Sequence, residues 1–207
     1  MIDSHSFQSR SVAFHTLGCK LNFSESSDMA RRLAQVGFER VGFDDVADVY
    51  VINTCTVTEE ANKKCRQEIR KIAKENPDAV IVVTGCYAQL RSEEVAKIDG
   101  VDIVVGNDQK GEIVDFVEQW YADRRPLTKV TPLKDMNRFI PSCSRGDRTR
   151  YFLKVQDGCD YYCSYCTIPR ARGRSRSGDI DDLVEQARRV AAEGGKEIVI
   201  TGVNIGD

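Results

Sequence analysis

Three cysteines in the run Gly158-Cys159-Asp160-Tyr161-Tyr162-Cys163-Ser164-Tyr165-Cys166 have the spacing C-x-x-x-C-x-x-C, with no fourth close by. Iron–sulfur cubanes are normally held by four Cys thiolates. A cubane on three keeps one iron open for another ligand, which turns an electron carrier into a place for chemistry. Zinc is the competing metal, but structural zinc takes four Cys or His ligands, often as paired C-x-x-C groups. The x3-then-x2 spacing does not match, and the chain's 2 histidines, His5 and His15, do not follow the loop.

Three further cysteines carry a second signal. Residues 11–17, 48–54 and 79–85 are short apolar runs rich in β-branched residues, and they lead into Cys19, Cys55 and Cys86. A fourth such run covers residues 101–105. Buried parallel strands read this way. Helical patterns alternate with them over residues 24–36, 59–75, from Ser92, and over 112–121. Strand–helix alternation predicts a parallel sheet covered by helices. Ligands in such sheets bind outside the carboxyl ends of the strands. Three cysteines at strand ends therefore converge on one edge as a second three-thiolate site. The competing account is that they are small buried hydrophobes.

The remaining layout follows from composition. The chain has 207 residues, formal net charge −2 and 41% hydrophobic content, which suits a protein of one or two domains. No apolar stretch reaches the roughly 20 residues of a membrane span. Residues 1–6 lack the basic start and apolar core of a signal peptide, so a cytoplasmic location is expected. There, its 8 cysteines point to metal or redox chemistry rather than disulfides. The organisation read from the chain is residues 1–121 as a first domain, 122–150 as an exposed linker, and 151–207 as a second, incomplete domain. The linker holds Pro126, Pro132 and Pro141, and its basic residues, Arg148 among them, outnumber acids such as Asp147. Residues 151–156 and 197–201 read as strands and 179–193 as a helix with Leu183, Val184, Ala187, Val190 and Ala191 on its apolar face. This unit starts a parallel barrel that the chain, ending at Asp207, leaves unfinished, so the sequence reads as a fragment.

The cluster loop resembles that of the radical S-adenosylmethionine (SAM) enzymes. The resemblance extends to Thr16-Leu17-Gly18-Cys19-Lys20-Leu21-Asn22 with Glu25-Ser26, to Asn53-Thr54-Cys55-Thr56-Val57, and to Thr84-Gly85-Cys86-Tyr87-Ala88-Gln89. The stretch Cys166-Thr167-Ile168-Pro169-Arg170-Ala171-Arg172-Gly173-Arg174-Ser175-Arg176-Ser177 completes it. Together these are similar to the methylthiotransferases, and the Leu-Gly-Cys-Lys-Leu-Asn form is most similar to the branch acting on N6-threonylcarbamoyladenosine in tRNA. Branches acting on isopentenyladenosine tRNA or on a ribosomal protein are the alternatives. A cluster- or tRNA-binding fragment without turnover is a further alternative.

The resemblance implies an α/β fold whose N-terminal parallel sheet precedes the start of a partial (β/α) barrel. It implies two [4Fe-4S] clusters, one on Cys159, Cys163 and Cys166 and an auxiliary one on Cys19, Cys55 and Cys86. The first would bind SAM and yield a 5′-deoxyadenosyl radical. The second would carry a sulfur that another SAM methylates, and the methylthio group would join C2 of adenosine 37. Partners implied are a tRNA anticodon stem-loop and an electron donor such as flavodoxin or ferredoxin, acting on a monomer. Tyr165 would lie beside the adenine of SAM, with simple loop packing as its other account. Thr201, Gly202 and Asn204 stand where SAM binds. Arg170, Arg172, Arg174 and Arg176 alternate along a stretch read as exposed, able to contact tRNA phosphates or the SAM carboxylate. Asn22 and Asn53 border the first site, while Cys65, Cys143 and His15 read as packing residues.

Overall fold

A computed structural model describes residues 7–56, 58–145 and 150–206. The readings made at residues 1–6, Val57, Asp147, Arg148 and Asp207 lie outside those residues. The first sheet is built from β1 (Ser11–Thr16), β2 (Glu39–Arg40), β3 (Val49–Thr54), β4 (Val80–Gly85), β5 (Ile103–Val105) and β6 (Leu127–Lys129). Its order is β2-β1-β3-β4-β5-β6 and every pairing is parallel. The central strands β3 and β4 are buried along their whole length, which is why they read as continuous apolar runs rather than alternating ones.

Helices cover both faces. Along β3, Val49 and Val51 face a layer with Met29 and Leu33 of α1 (Lys20–Gln35), and with Ile113 and Val117 of α5 (Ile113–Asp123). Tyr50 and Ile52 face the opposite layer, with Ile69 and Ile72 of α2 (Glu59–Glu75). Thr58 caps α2 by accepting the Ala61 N–H at 3.1 Å. Short helices α3 (Cys86–Leu90) and α4 (Ser92–Ala96) follow β4. α1 begins directly after Cys19 rather than at Ser24. Asn22, Ser24, Glu25, Ser26 and Ser27 are all buried with Leu21, so the first half of its inward face is mostly polar and gives little apolar signal.

The stretch read as an exposed linker is exposed over most of its described length but anchored at a few points. β6 adds a sixth strand to the first sheet, and β7 (Ser142–Cys143) pairs antiparallel with β8 (Tyr151–Lys154). Met136, Ile140, Ser142, Cys143 and Ser144 are buried. Short strands carry too few residues for a visible period, so sequence alone sees a connection.

β8 also pairs in parallel with β11 (Ile198–Thr201), and β9 (Gln156–Asp157) pairs antiparallel with β10 (Arg176–Ser177). α6 (Ile168–Arg172) precedes α7 (Ile180–Ala192), which Asp179 caps by accepting from the N–H groups of Asp181 and Asp182. Of the expected apolar face of α7, only Val190 is fully buried; Leu183 and Ala187 are half-buried, and Val184 and Ala191 are exposed. Two neighbouring strands cover only a narrow stripe of a helix. Among the described residues, no helix is long and apolar enough to cross a membrane.

Candidate functional site

Strand register decides where the first three cysteines go. Thr54 of β3 pairs with Gly85 of β4, so Cys55 and Cys86 leave neighbouring strands at one level. Thr16 pairs with Asn53, and the Leu17 N–H continues the ladder to the Asn53 carbonyl at 2.8 Å. Cys19 follows as the N-cap residue of α1. The structure thus gathers the turns of all three cysteines on the carboxyl edge of the sheet.

Glycines make that approach possible. Gly18 has φ +104°, and a Cβ there would stand 3.0 Å from the Cys55 sulfur. Gly85 has φ +98°, and a Cβ there would stand 2.3 Å from the Thr54 carbonyl oxygen. Gly85→Ala is expected to destabilise the chain by ~1–3 kcal/mol for the backbone conformation alone, with the steric clash added. A thermal melt as stable as the unsubstituted protein would contradict this account of the turn.

Asn22 ties two of the turns together. Its Nδ2 donates to the carbonyls of Leu17 at 2.8 Å and Thr54 at 2.9 Å, while its Oδ1 lies 3.9 Å from the Cys19 sulfur. Asn107, at the start of the 3-10 turn after β5, places Nδ2 3.8 Å from the Cys86 sulfur and 2.8 Å from the Ala171 carbonyl. Cys86 is buried, whereas Cys19 is exposed and Cys55 half-buried. Burial pushes the Cys86 thiol up; Arg172 and then Lys110 pull it back.

The second triplet sits on a loop without regular structure. The Tyr161 N–H points at the Cys159 sulfur at 3.4 Å, and the Cys166 N–H donates to the Cys163 carbonyl at 3.0 Å. Cys163 is exposed, with Cys159 and Cys166 half-buried. Tyr165 is 87% exposed, so it is not held by loop packing. The loop docks on the first site: the Thr167 hydroxyl donates to the Thr56 carbonyl at 3.3 Å, linking the neighbours of Cys166 and Cys55.

A cleft of about 710 Å³ lies between the two units. Gly18, Cys19 and Leu21 line one wall, and Ile168, Arg172, Thr201 and Gly202 are among the rest. That volume suits a small-molecule site. Asn204 does not line it; its N–H and that of Val203 donate to the Gln156 Oε1 at 2.9 and 2.8 Å. Gln156 also donates from Nε2 to the Gly158 carbonyl at 2.8 Å, pinning the strand-end loop to the start of the cysteine loop.

Among the described residues, no group of three or more His, Cys, Asp or Glu side chains is close enough to hold one metal ion. A four-iron cluster makes a different demand, since it spreads its thiolates over separate irons. All eight cysteines are free, and each triplet has at least one accessible thiol. Soft sulfur donors suit an iron–sulfur cluster, and at the first triplet the buried cations Arg172 and Lys110 stand beside Cys86, which fits an anionic group.

Residues 11–106 match the profile described as Uncharacterized protein family UPF0004, and residues 153–206 match the Radical SAM superfamily. The chain is 44% identical over 199 residues to the threonylcarbamoyladenosine tRNA methylthiotransferase MtaB of Bacillus subtilis, covering 94% of this chain and 44% of that protein. The chain belongs to the radical SAM methylthiotransferase family. It is 39% identical to the MtaB of Thermotoga maritima, over 95% of this chain and 45% of that one. Identity is 34% to a tRNA-2-methylthio-N(6)-dimethylallyladenosine synthase of Novosphingobium aromaticivorans, over 92% of this chain and 42% of that one. The chain spans less than half the length of these relatives.

In this chain, the arginine run does not behave as one exposed stretch. Arg170 and Arg174 are exposed and Arg176 is half-buried, but Arg172 is buried. Its Nη1 bonds Glu25 at 2.9 Å and Asp157 at 3.0 Å, and its Nη2 donates to the Asn22 Oδ1 at 2.6 Å. Lys110 and Lys154 also pair with Glu25, and Lys154 with Asp157. Burial would raise the carboxyl of Glu25, yet Arg172, Lys110 and Lys154 together hold it well below the usual carboxylate range. Asp157 is held down by Lys154 and Arg172 against its own burial. Sequence reading missed this ion cluster because its members lie far apart in the chain. The available signal was Glu25 standing among buried small polar residues instead of on an apolar helix face.

Proposed function

We propose that this chain carries the two sulfur-ligand sites of a tRNA methylthiotransferase. The reaction is addition of a methylthio group to C2 of N6-threonylcarbamoyladenosine 37 in the anticodon stem-loop. The observation that carries this reading is the docking of the segment that follows Cys166 on the first site: Thr167 bonds the Thr56 carbonyl beside Cys55, the Ala171 carbonyl accepts from Asn107 beside Cys86, and Arg172 bonds Asn22 beside Cys19. The 44% identity to a protein named for that modification supports the substrate.

When bound, two four-iron clusters and SAM supply radical cleavage of an unactivated C–H bond and a deliverable sulfur, chemistry that no side chain supplies. Cys159, Cys163 and Cys166 would hold one cluster, and Cys19, Cys55 and Cys86 the other. Gln156 fixes the loop after β11 beside the first of these cysteines. Thr201 and Gly202 line the cleft on the side where SAM is expected, and exposed Tyr165 is available to an adenine ring. Exposed Arg170 and Arg174 are available to tRNA phosphates. The setting is the cytoplasm, with flavodoxin or ferredoxin as electron donor.

Mass spectrometry of tRNA nucleosides from cells lacking the gene tests the assignment. The expected result is loss of 2-methylthio-threonylcarbamoyladenosine with the unmethylthiolated nucleoside accumulating. Loss of the dimethylallyl product instead would move the substrate to the other tRNA branch. Unchanged tRNA would overturn the substrate reading.

A further inference from the structure

The contacts around the first cysteine triplet converge on one residue that belongs to the second unit. Arg172 closes α6, the helix that follows the second triplet. That helix follows directly on Cys166, with Thr167 as its N-cap, and its far end returns to the loop, where the Cys159 N–H donates to the Gly173 carbonyl at 3.1 Å.

From this position, Arg172 and its neighbour reach all three turns of the first site. Arg172 donates to Asn22 Oδ1, which leaves the Asn22 amide free to hold the carbonyls of Leu17 and Thr54, ahead of Cys19 and Cys55. The Ala171 carbonyl accepts from Asn107, whose amide nitrogen stands against the Cys86 sulfur. Only a planar fork serves Glu25, Asp157 and Asn22 at once, because guanidinium presents several donors in fixed directions. The charge fits as well. Three buried cations, Lys110, Lys154 and Arg172, meet two carboxylates, Glu25 and Asp157, with Arg176 3.7 Å from Asp157 at the edge.

We propose that Arg172 is a positioning residue for the first triplet: delivered by the helix behind the second, it locks the Cys19, Cys55 and Cys86 turns into one site. The two sulfur sites are thus set by one buried fork, and the first takes its form only when α6 is docked. The proposal rests on the two-site reading for its purpose, but its test needs no cluster.

The test is pulse alkylation of the cluster-free, reduced chain with iodoacetamide, read cysteine by cysteine by mass spectrometry. Cys143 is the buried control, 1% exposed, whereas Cys65 donates to the Cys55 carbonyl at 3.3 Å and reports with the first site. In R172M the labelling rate of Cys86 is expected to rise at least tenfold, with Cys143 unchanged. R172K keeps the charge but not the fork, so it restores less than half of the protection. N107A leaves the ion cluster intact and is expected to unmask Cys86 alone, which keeps the test available if R172M does not fold. Unchanged Cys86 labelling in R172M or N107A overturns the proposal. So does a rise of Cys143 in step with Cys86, which is general loosening, and so does full protection in R172K. Iron counting, done separately, decides the two-site reading itself.

Discussion

Glu25→Gln is expected to lower stability by ~3–5 kcal/mol, the cost of removing one partner from a buried ion cluster. For a chain of this size that is a fall in melting temperature of roughly 6–20 °C. Replacing a whole buried pair with apolar groups is often neutral, but this change leaves Lys154 and Arg172 to share Asp157 and takes from Lys110 its carboxylate partner. Glu25 is 3% exposed, so water does not compensate. The pH dependence has a definite sign. The folded carboxyl of Glu25 is held below its ordinary value, so its stabilisation is complete above the unfolded value and is lost as pH falls through the folded one. The gap between unsubstituted and E25Q protein should therefore be full at neutral pH and shrink below about pH 4. Denaturant unfolding at several pH values checks both points. A gap under ~1 kcal/mol at pH 7, the size of an exposed pair, would contradict the buried-cluster account.

Replacing Cys159, Cys163 and Cys166 together with alanine is expected to abolish SAM cleavage and to remove about four irons per chain after anaerobic reconstitution. The loop is on the surface, so the fold should survive: its sulfurs are exposed or half-buried, and Gln156 still pins the neighbouring backbone. Replacing Cys19, Cys55 and Cys86 should remove a similar number of irons and leave SAM cleavage in place. A triple variant of the second loop that still cleaves SAM would place the radical chemistry elsewhere.

The parallel sheet was legible because β3 and β4 are buried on both faces and so are written mostly in valine, isoleucine and threonine. Once those strands are found, parallel pairing forces Cys55 and Cys86 to one edge, and the first site follows from topology. The α1 start was not legible, since the first turns of that helix pack mostly Asn22, Ser24, Glu25 and Ser26 rather than apolar residues. Arg172 was read as exposed for a related reason. Alternating arginines look like a solvated run, and nothing local shows that one of them meets a glutamate from the other end of the chain. β6 and β7 were hidden by their length. Pro126, Pro132 and Pro141 suggested a free connection, although Ile140 and Cys143 between and beyond them are buried.

The most direct test of the central claim is the iron and acid-labile sulfide content of the anaerobically reconstituted, unsubstituted chain, read by Mössbauer spectroscopy. Two cubanes, about eight irons and eight sulfides per chain, with all six triplet cysteines protected from alkylation, are the predicted result. About four irons, with Cys19, Cys55 and Cys86 still reactive, would contradict it.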